Sequence, residues 1–122
     1  MKKVYFLQTC DTCRRILKEL SLVGFEKQEI KTNPITVSQL EEMYSLSNSY
    51  EALFNKRAKK YKEMGLKNEV IIEKEYRQFI LDEYTFLKRP VFIIDKQIFI
   101  GNSKKEIERL KTKLINTLQI GL

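Results

Sequence analysis

Thr9-Cys10-Asp11-Thr12-Cys13-Arg14 is the stretch around which this chain is organised, and it contains both cysteines of the 122-residue sequence. The apolar run from Val4 to Leu7 precedes it and predicts a strand that is buried on both faces. Apolar residues then recur at helical spacing, which predicts a helix directly after the first cysteine. The two thiols should therefore lie where a buried strand leads into a helix.

The two cysteines differ in their predicted surroundings. Cys13 lies three residues before Ile16 on the apolar stripe of the helix, so it should face the core. Cys10 precedes the first turn, where unpaired backbone N–H groups and the helix dipole favour a thiolate. Arg14 adds positive charge nearby, whereas Asp11 opposes it. We therefore predict a nucleophilic Cys10 and a resolving Cys13 that closes a disulfide with it.

A close cysteine pair also occurs in zinc sites, in apolar cores and in structural disulfides. A zinc site needs four ligands, and this sequence has no third cysteine and no histidine. Inert core thiols are the remaining alternative, although the strand-to-helix position favours reactive ones. No signal peptide or apolar membrane-spanning run precedes the cysteines, which predicts a cytoplasmic protein. The sequence thus predicts redox thiols that need no metal and no organic cofactor.

The chain is basic, with 23 Lys and Arg residues against 16 Asp and Glu residues and a formal net charge of +7. The cations are scattered among acidic residues along the predicted helices, which favours a solvated surface over direct nucleic-acid binding. A basic chain still attracts small oxyanions and acidic protein surfaces. Because histidine is absent, the chemistry must depend on thiols, arginines and carboxylates.

The first part of the chain predicts a strand-helix-strand unit. The helix after the cysteines is expected to end near Gly24, and a second strand should follow over residues 25–30. A capping box begins at Thr36 and predicts a helix start there. Helical patterns continue from it, so residues 36–86 are predicted to form a helical insert.

The last part of the chain predicts a hairpin and a closing helix. Arg89-Pro90 opens the third strand, and the hairpin should join residues 91–94 to residues 98–100. Ser103 begins a second capping box before the final helix. This order of elements predicts an α/β thioredoxin-like fold with a four-stranded mixed sheet, in one domain spanning residues 1–122. In that fold Pro90 should lie beside the cysteines, and an ordinary strand-start proline is the alternative.

Four segments of the chain resemble the arsenate reductase (ArsC) and Spx family. They are Cys10 to Arg14, Ala52 to Leu66, Phe86 to Val91, and Gly101 to Ile107. The resemblance runs from the first strand into the last helix. It implies the thioredoxin-like fold with a helical insert that the order of elements also predicts.

The resemblance implies two roles for the cysteine pair. Glutaredoxin-linked arsenate reductases of this family attack arsenate with the cysteine that matches Cys10 and hold the oxyanion with three arginines. Arg89 matches one of the three, Asn55 and Gly101 stand at or near the places of the others, and Arg57 is a candidate substitute. Spx-like regulators instead use the cysteine pair as a redox switch and bind the RNA polymerase alpha subunit.

We therefore expect a thiol-disulfide oxidoreductase of the ArsC family, with arsenate as a candidate substrate. The expected catalytic residues are Cys10, Cys13 and Arg89, and the expected substrate-binding residues are Arg14, Arg57 and Pro90. A thioredoxin or glutaredoxin system with glutathione would be the reductant. The alternative is a redox-sensing transcriptional regulator that binds the RNA polymerase alpha subunit.

Overall fold

The computed structural model describes the backbone of residues 1–120 and the side chains as far as residue 116. Its strands are β1 (Lys2–Phe6), β2 (Glu26–Glu29), β3 (Val91–Ile94) and β4 (Gln97–Ile100). Its α-helices are α1 (Asp11–Glu19), α2 (Val37–Ser47), α3 (Tyr50–Leu53), α4 (Lys59–Glu63), α5 (Glu73–Asp82) and α6 (Lys104–Ile120). Short 3-10 helices lie at Leu66–Asn68 and Tyr84–Phe86. No helix in this part of the chain is both long and apolar enough to cross a membrane.

The strands form a four-stranded mixed sheet in the order β2-β1-β3-β4. β1 pairs with β3 in antiparallel register, with Val4 opposite Phe92. β3 pairs with β4 in the same sense, with Phe92 opposite Phe99. The predicted hairpin is therefore confirmed, with its second strand beginning at Gln97. The predicted α/β fold class, with helices inserted between the second and third strands, is also confirmed.

One compact unit combines Met1–Gln28 with the chain from Arg89 onward. Its core contains apolar residues of β1, α1, the hairpin and α6, which pack together: Val4, Ile16, Phe92, Ile94, Phe99 and Leu110. Every residue of β3 is buried, as expected for a central strand. Leu118, which the apolar stripe of the last helix includes, lies outside the described side chains.

The second compact unit is Glu29–Lys88, which contains the helices of the insert. Its centre is Phe54, which is 1% exposed. Four aromatic rings surround it at centroid distances of 4.9 to 6.2 Å, namely Tyr61, Tyr76, Phe79 and Phe86. An isolated antiparallel bridge joins Phe54 to Leu87, next to the C-terminal end of the unit. The prediction that the whole chain is a single domain stays a prediction.

Three local expectations about the helices are wrong. α1 ends at Glu19 instead of near Gly24, so Val23, which the apolar spacing also predicts on this helix, lies beyond its end and is 84% exposed. The helical pattern after Tyr50 is divided into the separate helices α3 and α4. The apolar spacing after Thr36 also predicts a core face that includes Val37, but Val37 is 52% exposed. The hydrophobic periodicity correctly predicts helices in these segments, but it does not predict the residues at which they end.

The capping predictions can be compared with individual hydrogen bonds. At the start of α2 the box is complete, because Gln39 N–H donates to Thr36 Oγ1 at 3.1 Å and Thr36 N–H donates to Gln39 Oε1 at 3.0 Å. At the start of α6, Ser103 Oγ accepts from Glu106 N–H at 3.1 Å. The Glu106 carboxylate instead accepts from Ile100 N–H at 2.8 Å, which ties α6 to β4.

Glu73 caps a helix that is distant in sequence. Its two carboxylate oxygens accept from Tyr50 N–H at 2.7 Å and from Glu51 N–H at 3.0 Å, at the start of α3. Replacing Glu73 by glutamine removes the negative charge and one acceptor, so we expect the free energy of unfolding to fall by about 1 kcal/mol. Urea denaturation measures the change, with the exposed Glu69→Gln as the control of equal charge. An equal effect in both variants would contradict the cap.

Candidate thiol site at the start of α1

Cys10 is the N-cap residue of α1, with extended backbone angles of φ −89° and ψ 113°. Its carbonyl accepts the first helical hydrogen bond from Arg14 N–H at 3.0 Å, and its own N–H donates to Leu7 O at 3.1 Å. Cys10 is half-buried and Cys13 is 0% exposed, and both are free thiols. The predicted difference between an accessible and a core-facing cysteine is therefore present in the structure.

The pKa of the Cys10 thiol lies below its ordinary value of 9.0. Partial burial raises this pKa, but the Cys13 backbone and thiol and the Arg89 guanidinium together lower it by more. The Cys10 side chain does not make a full capping hydrogen bond. The Cys13 backbone N–H, in the first turn of the helix, nevertheless stabilises the Cys10 thiolate. Cys10 should consequently be the more reactive thiol.

The pKa of the Cys13 thiol moves in the opposite direction, from 9.0 to about 12. Burial is the main cause, since an apolar environment disfavours the thiolate. The Leu7 backbone lowers the pKa of Cys13, whereas the negative charge of the Cys10 thiolate raises it. Cys13 is therefore a neutral thiol near pH 7 as long as Cys10 is ionised.

Arg89 and Pro90 lie directly before β3, in the same unit as the cysteines. Arg89 is half-buried, and its guanidinium makes a hydrogen bond to the Cys10 sulfur that lowers the pKa of this thiol. Pro90 is buried, and the peptide bond between the two residues is cis. Backbone contacts hold this segment, because Gly101 N–H donates to Pro90 O at 2.9 Å and Asn102 Nδ2 donates to Arg89 O at 3.3 Å.

Asn102 is a part of this site that sequence reasoning did not identify. It follows β4 and contacts the backbone of Arg89 across the hairpin. The sequence shows that Asn102 follows Gly101, but only the pairing of β3 with β4 brings Asn102 close to Arg89. Asn102 therefore helps to position the residue that carries the guanidinium.

The other two predicted arginines have different surroundings. Arg14 forms an exposed ion pair with Asp11, one turn back on the same helix. Arg57 is exposed and belongs to the unit Glu29–Lys88, where its backbone N–H donates to Asn55 Oδ1 at 3.0 Å. The structure thus brings Arg89 to the Cys10 sulfur, whereas Arg14 pairs with Asp11, and anion binding by Arg14 and Arg57 stays a prediction.

Removing the positive charge of Arg89 should raise the pKa of Cys10, because both contributions of Arg89 lower it. In Arg89→Gln we expect the midpoint of pH-dependent alkylation at Cys10 to move to higher pH, with a severalfold slower reaction at pH 7. Arg89→Lys retains the charge and should show a smaller change. Peptide mass spectrometry after timed iodoacetamide treatment gives both values, and an unchanged midpoint in Arg89→Gln would place the guanidinium elsewhere.

No group of three or more His, Cys, Asp or Glu side chains within the described residues is arranged to hold a metal ion. Cys10 is half-buried and Cys13 is buried, and both would have to be ionised to bind a metal ion. The arrangement suits nucleophilic thiol chemistry: one accessible sulfur with a lowered pKa, one buried sulfur within its reach, and a guanidinium beside them.

Comparison with known proteins places this site in a family. Residues 5–110 match the family model described as the ArsC family. Global transcriptional regulator Spx 1 of Bacillus cereus is 23% identical over 98% of this chain and 94% of its own length. A Bacteroides fragilis protein related to the ArsC family has a solved structure that superposes with a TM-score of 0.74, at 22% identity over 89% of this chain and 96% of its own. The solved structure of a "possible arsenate reductase" from Streptococcus mutans gives a TM-score of 0.72, at 24% identity over 91% of this chain and 98% of its own. Because the family model matches most of the chain, including both cysteines and Arg89, this chain belongs to the ArsC family.

Proposed function

We propose that this protein is a thiol-disulfide oxidoreductase in which Cys10 is the nucleophile and Cys13 is the resolving thiol. The observation that supports the proposal is the contrast between the two sulfurs. The Cys10 thiol is accessible with a lowered pKa, and the Cys13 thiol is buried with a pKa raised to about 12. Membership of the ArsC family agrees with such a site.

In the first step the Cys10 thiolate attacks one sulfur of a substrate disulfide. The Cys10–substrate bond forms, the substrate S–S bond breaks, and the second substrate sulfur leaves as a thiolate. Arg89 would stabilise the negative charge as it passes from Cys10 to the leaving sulfur. The product of this step is a mixed disulfide on Cys10.

In the second step Cys13 attacks the Cys10 sulfur. Formation of the mixed disulfide removes the negative charge of Cys10, and that charge is one of the causes that raise the pKa of Cys13. Cys13 therefore becomes easier to deprotonate at the moment when it must react. Its proton passes to the departing substrate thiolate, the Cys10–Cys13 disulfide forms, and the substrate has gained two electrons. A cytoplasmic thioredoxin or glutaredoxin system would return the protein to the dithiol state.

The substrate is tested with NADPH-coupled assays in which thioredoxin or glutaredoxin with glutathione supplies electrons. Oxidised glutathione, a protein disulfide and arsenate are offered in separate reactions. Oxidised glutathione is given only with the thioredoxin system, because glutathione reductase reduces it directly, and the rate without this chain is subtracted from every reaction. We expect NADPH consumption with a disulfide substrate and loss of the signal in Cys10→Ser. Arsenate is the second substrate candidate, since Arg89 would face an oxyanion bound at Cys10. Consumption with none of the three would refute the enzyme proposal.

A second candidate function is a redox-controlled transcriptional regulator. The supporting observation is that several relatives spanning most of this chain are named global transcriptional regulator Spx. In this proposal closure of the Cys10–Cys13 disulfide changes the surface around the start of α1, and affinity for the RNA polymerase alpha subunit changes with it. Binding of the alpha C-terminal domain to dithiol and disulfide forms, measured by calorimetry, tests it. Equal binding by both forms, or none by either, argues against this candidate.

A further inference from the structure

A cavity of about 150 Å³ lies at the C-terminal end of α5, within the unit Glu29–Lys88. Its inner wall is apolar, with Ile30, Ile80 and Leu87 buried and Ile35 half-buried. A volume of this size accommodates one group as large as a benzene ring. The cavity therefore suits a single aliphatic or aromatic side chain.

The same cavity is lined by two carboxylates. Asp82 is the last residue of α5 and Glu83 is its C-cap. Asp82 accepts from Gln78 Nε2 at 2.8 Å and Glu83 accepts from Thr85 Oγ1 at 3.1 Å, so both donors are neutral. No basic residue occupies the last turn of α5. Two negative groups thus lie at the negative end of a helix dipole, where cations are normally favoured.

A shortage of cations does not explain this arrangement, because the chain has 23 Lys and Arg residues. Elsewhere in the same unit carboxylates do pair with them, as Glu41 does with Arg77 at 2.8 Å and Glu51 with Lys56 at 2.6 Å. Local arrangements that oppose stability are typical of binding sites. A cation brought by a ligand would interact with the carboxylates and with the helix dipole at once.

We propose that this cavity docks a segment of a partner protein in which an aliphatic or aromatic side chain is followed by lysine or arginine. The apolar side chain fills the space lined by Ile35 and Ile80, and the cation contacts Asp82 and Glu83. An anchor side chain in a small pocket, with a charge pair at its edge, is a common arrangement at protein interfaces.

The full-length chain labelled with ¹⁵N can be titrated with the blocked peptide acetyl-Gly-Phe-Arg-Gly-amide while amide chemical shifts are recorded. We expect the largest shifts at residues 30, 35 and 80–84. The peptide with glutamate in place of arginine should bind about tenfold more weakly, because it loses charge-assisted contacts and gains repulsion. Equal affinity for the two peptides, or shifts confined to other residues, would overturn the proposal.

Two variants and a small amine complete the test. Asp82→Asn with Glu83→Gln should bind the arginine peptide about tenfold more weakly and yet melt at a higher temperature, because both carboxylates oppose the helix dipole. The control, Glu63→Gln with Glu69→Gln, makes the same change in net charge at exposed positions outside the cavity lining and should bind normally. Unchanged binding by the first variant would overturn the proposal.

Binding of 2-phenylethylammonium chloride as tight as that of the peptide would identify a small amine, not a protein segment, as the ligand.

Discussion

A Cys13→Ser variant treated with oxidised glutathione is expected to stop at the mixed disulfide, with glutathione bound to Cys10. The unmodified chain should form the same intermediate and then lose it, because Cys13 displaces glutathione from the neighbouring sulfur. An intramolecular thiol acts at a high effective concentration, so the mixed disulfide should persist on the order of 100-fold longer in the variant. Acid-quenched samples analysed by intact mass and peptide mapping give this lifetime.

The matched control is Cys10→Ser, which keeps the buried thiol and removes the accessible one. It should form almost no mixed disulfide at pH 7, since burial, the main cause of the raised pKa of Cys13, remains in this variant and also blocks access to its sulfur. Rapid modification of Cys13 in this variant would reverse the assignment of the two roles. Equal lifetimes of the mixed disulfide in Cys13→Ser and in the unmodified chain would remove the resolving role.

Phe54→Ala is expected to cause the largest loss of stability among single substitutions in the unit Glu29–Lys88. The ring is 1% exposed and has four aromatic neighbours, with Tyr76 and Phe86 each at 4.9 Å between centroids. Truncation leaves a cavity that these rings cannot fill without moving. We expect the free energy of unfolding to fall by about 3 to 5 kcal/mol, which is a large part of the stability of a small protein.

Urea denaturation followed by circular dichroism measures the effect, and Val70→Ala is a suitable control. Val70 lies in the same unit but is 93% exposed. Its truncation should change the free energy of unfolding by less than about 0.5 kcal/mol. A loss in Phe54→Ala no larger than in the control would mean that the aromatic cluster does not stabilise this unit.

Predictions from local sequence patterns agreed with the structure where short-range interactions decide the outcome. The helix start at Thr36 depends on two hydrogen bonds between residues three apart. The hairpin formed by β3 and β4 depends on apolar runs separated by a tight polar turn. The same holds for Cys10, because the backbone N–H groups that favour its thiolate belong to the helix that begins at the next residue.

Features that depend on distant residues were not predictable in this way. Asn102 was not singled out, although it contacts the Arg89 backbone across the hairpin. The fold decides which donor meets which acceptor, and hydrophobic periodicity contains no information about these pairs.

The sequence by itself determined the order of strands and helices, the position of both thiols at a strand-to-helix junction and the family. The first two follow from hydrophobic period, caps and spacing, which act over a few residues, and the family follows from the resemblance of four segments. Only the tertiary structure decided which groups shift the pKa values of the two thiols. Burial raises the pKa of Cys13, and a guanidinium from a segment far along the chain helps to lower the pKa of Cys10. Both effects arise from solvent exclusion and charge proximity, which exist only once the distant segments have packed together.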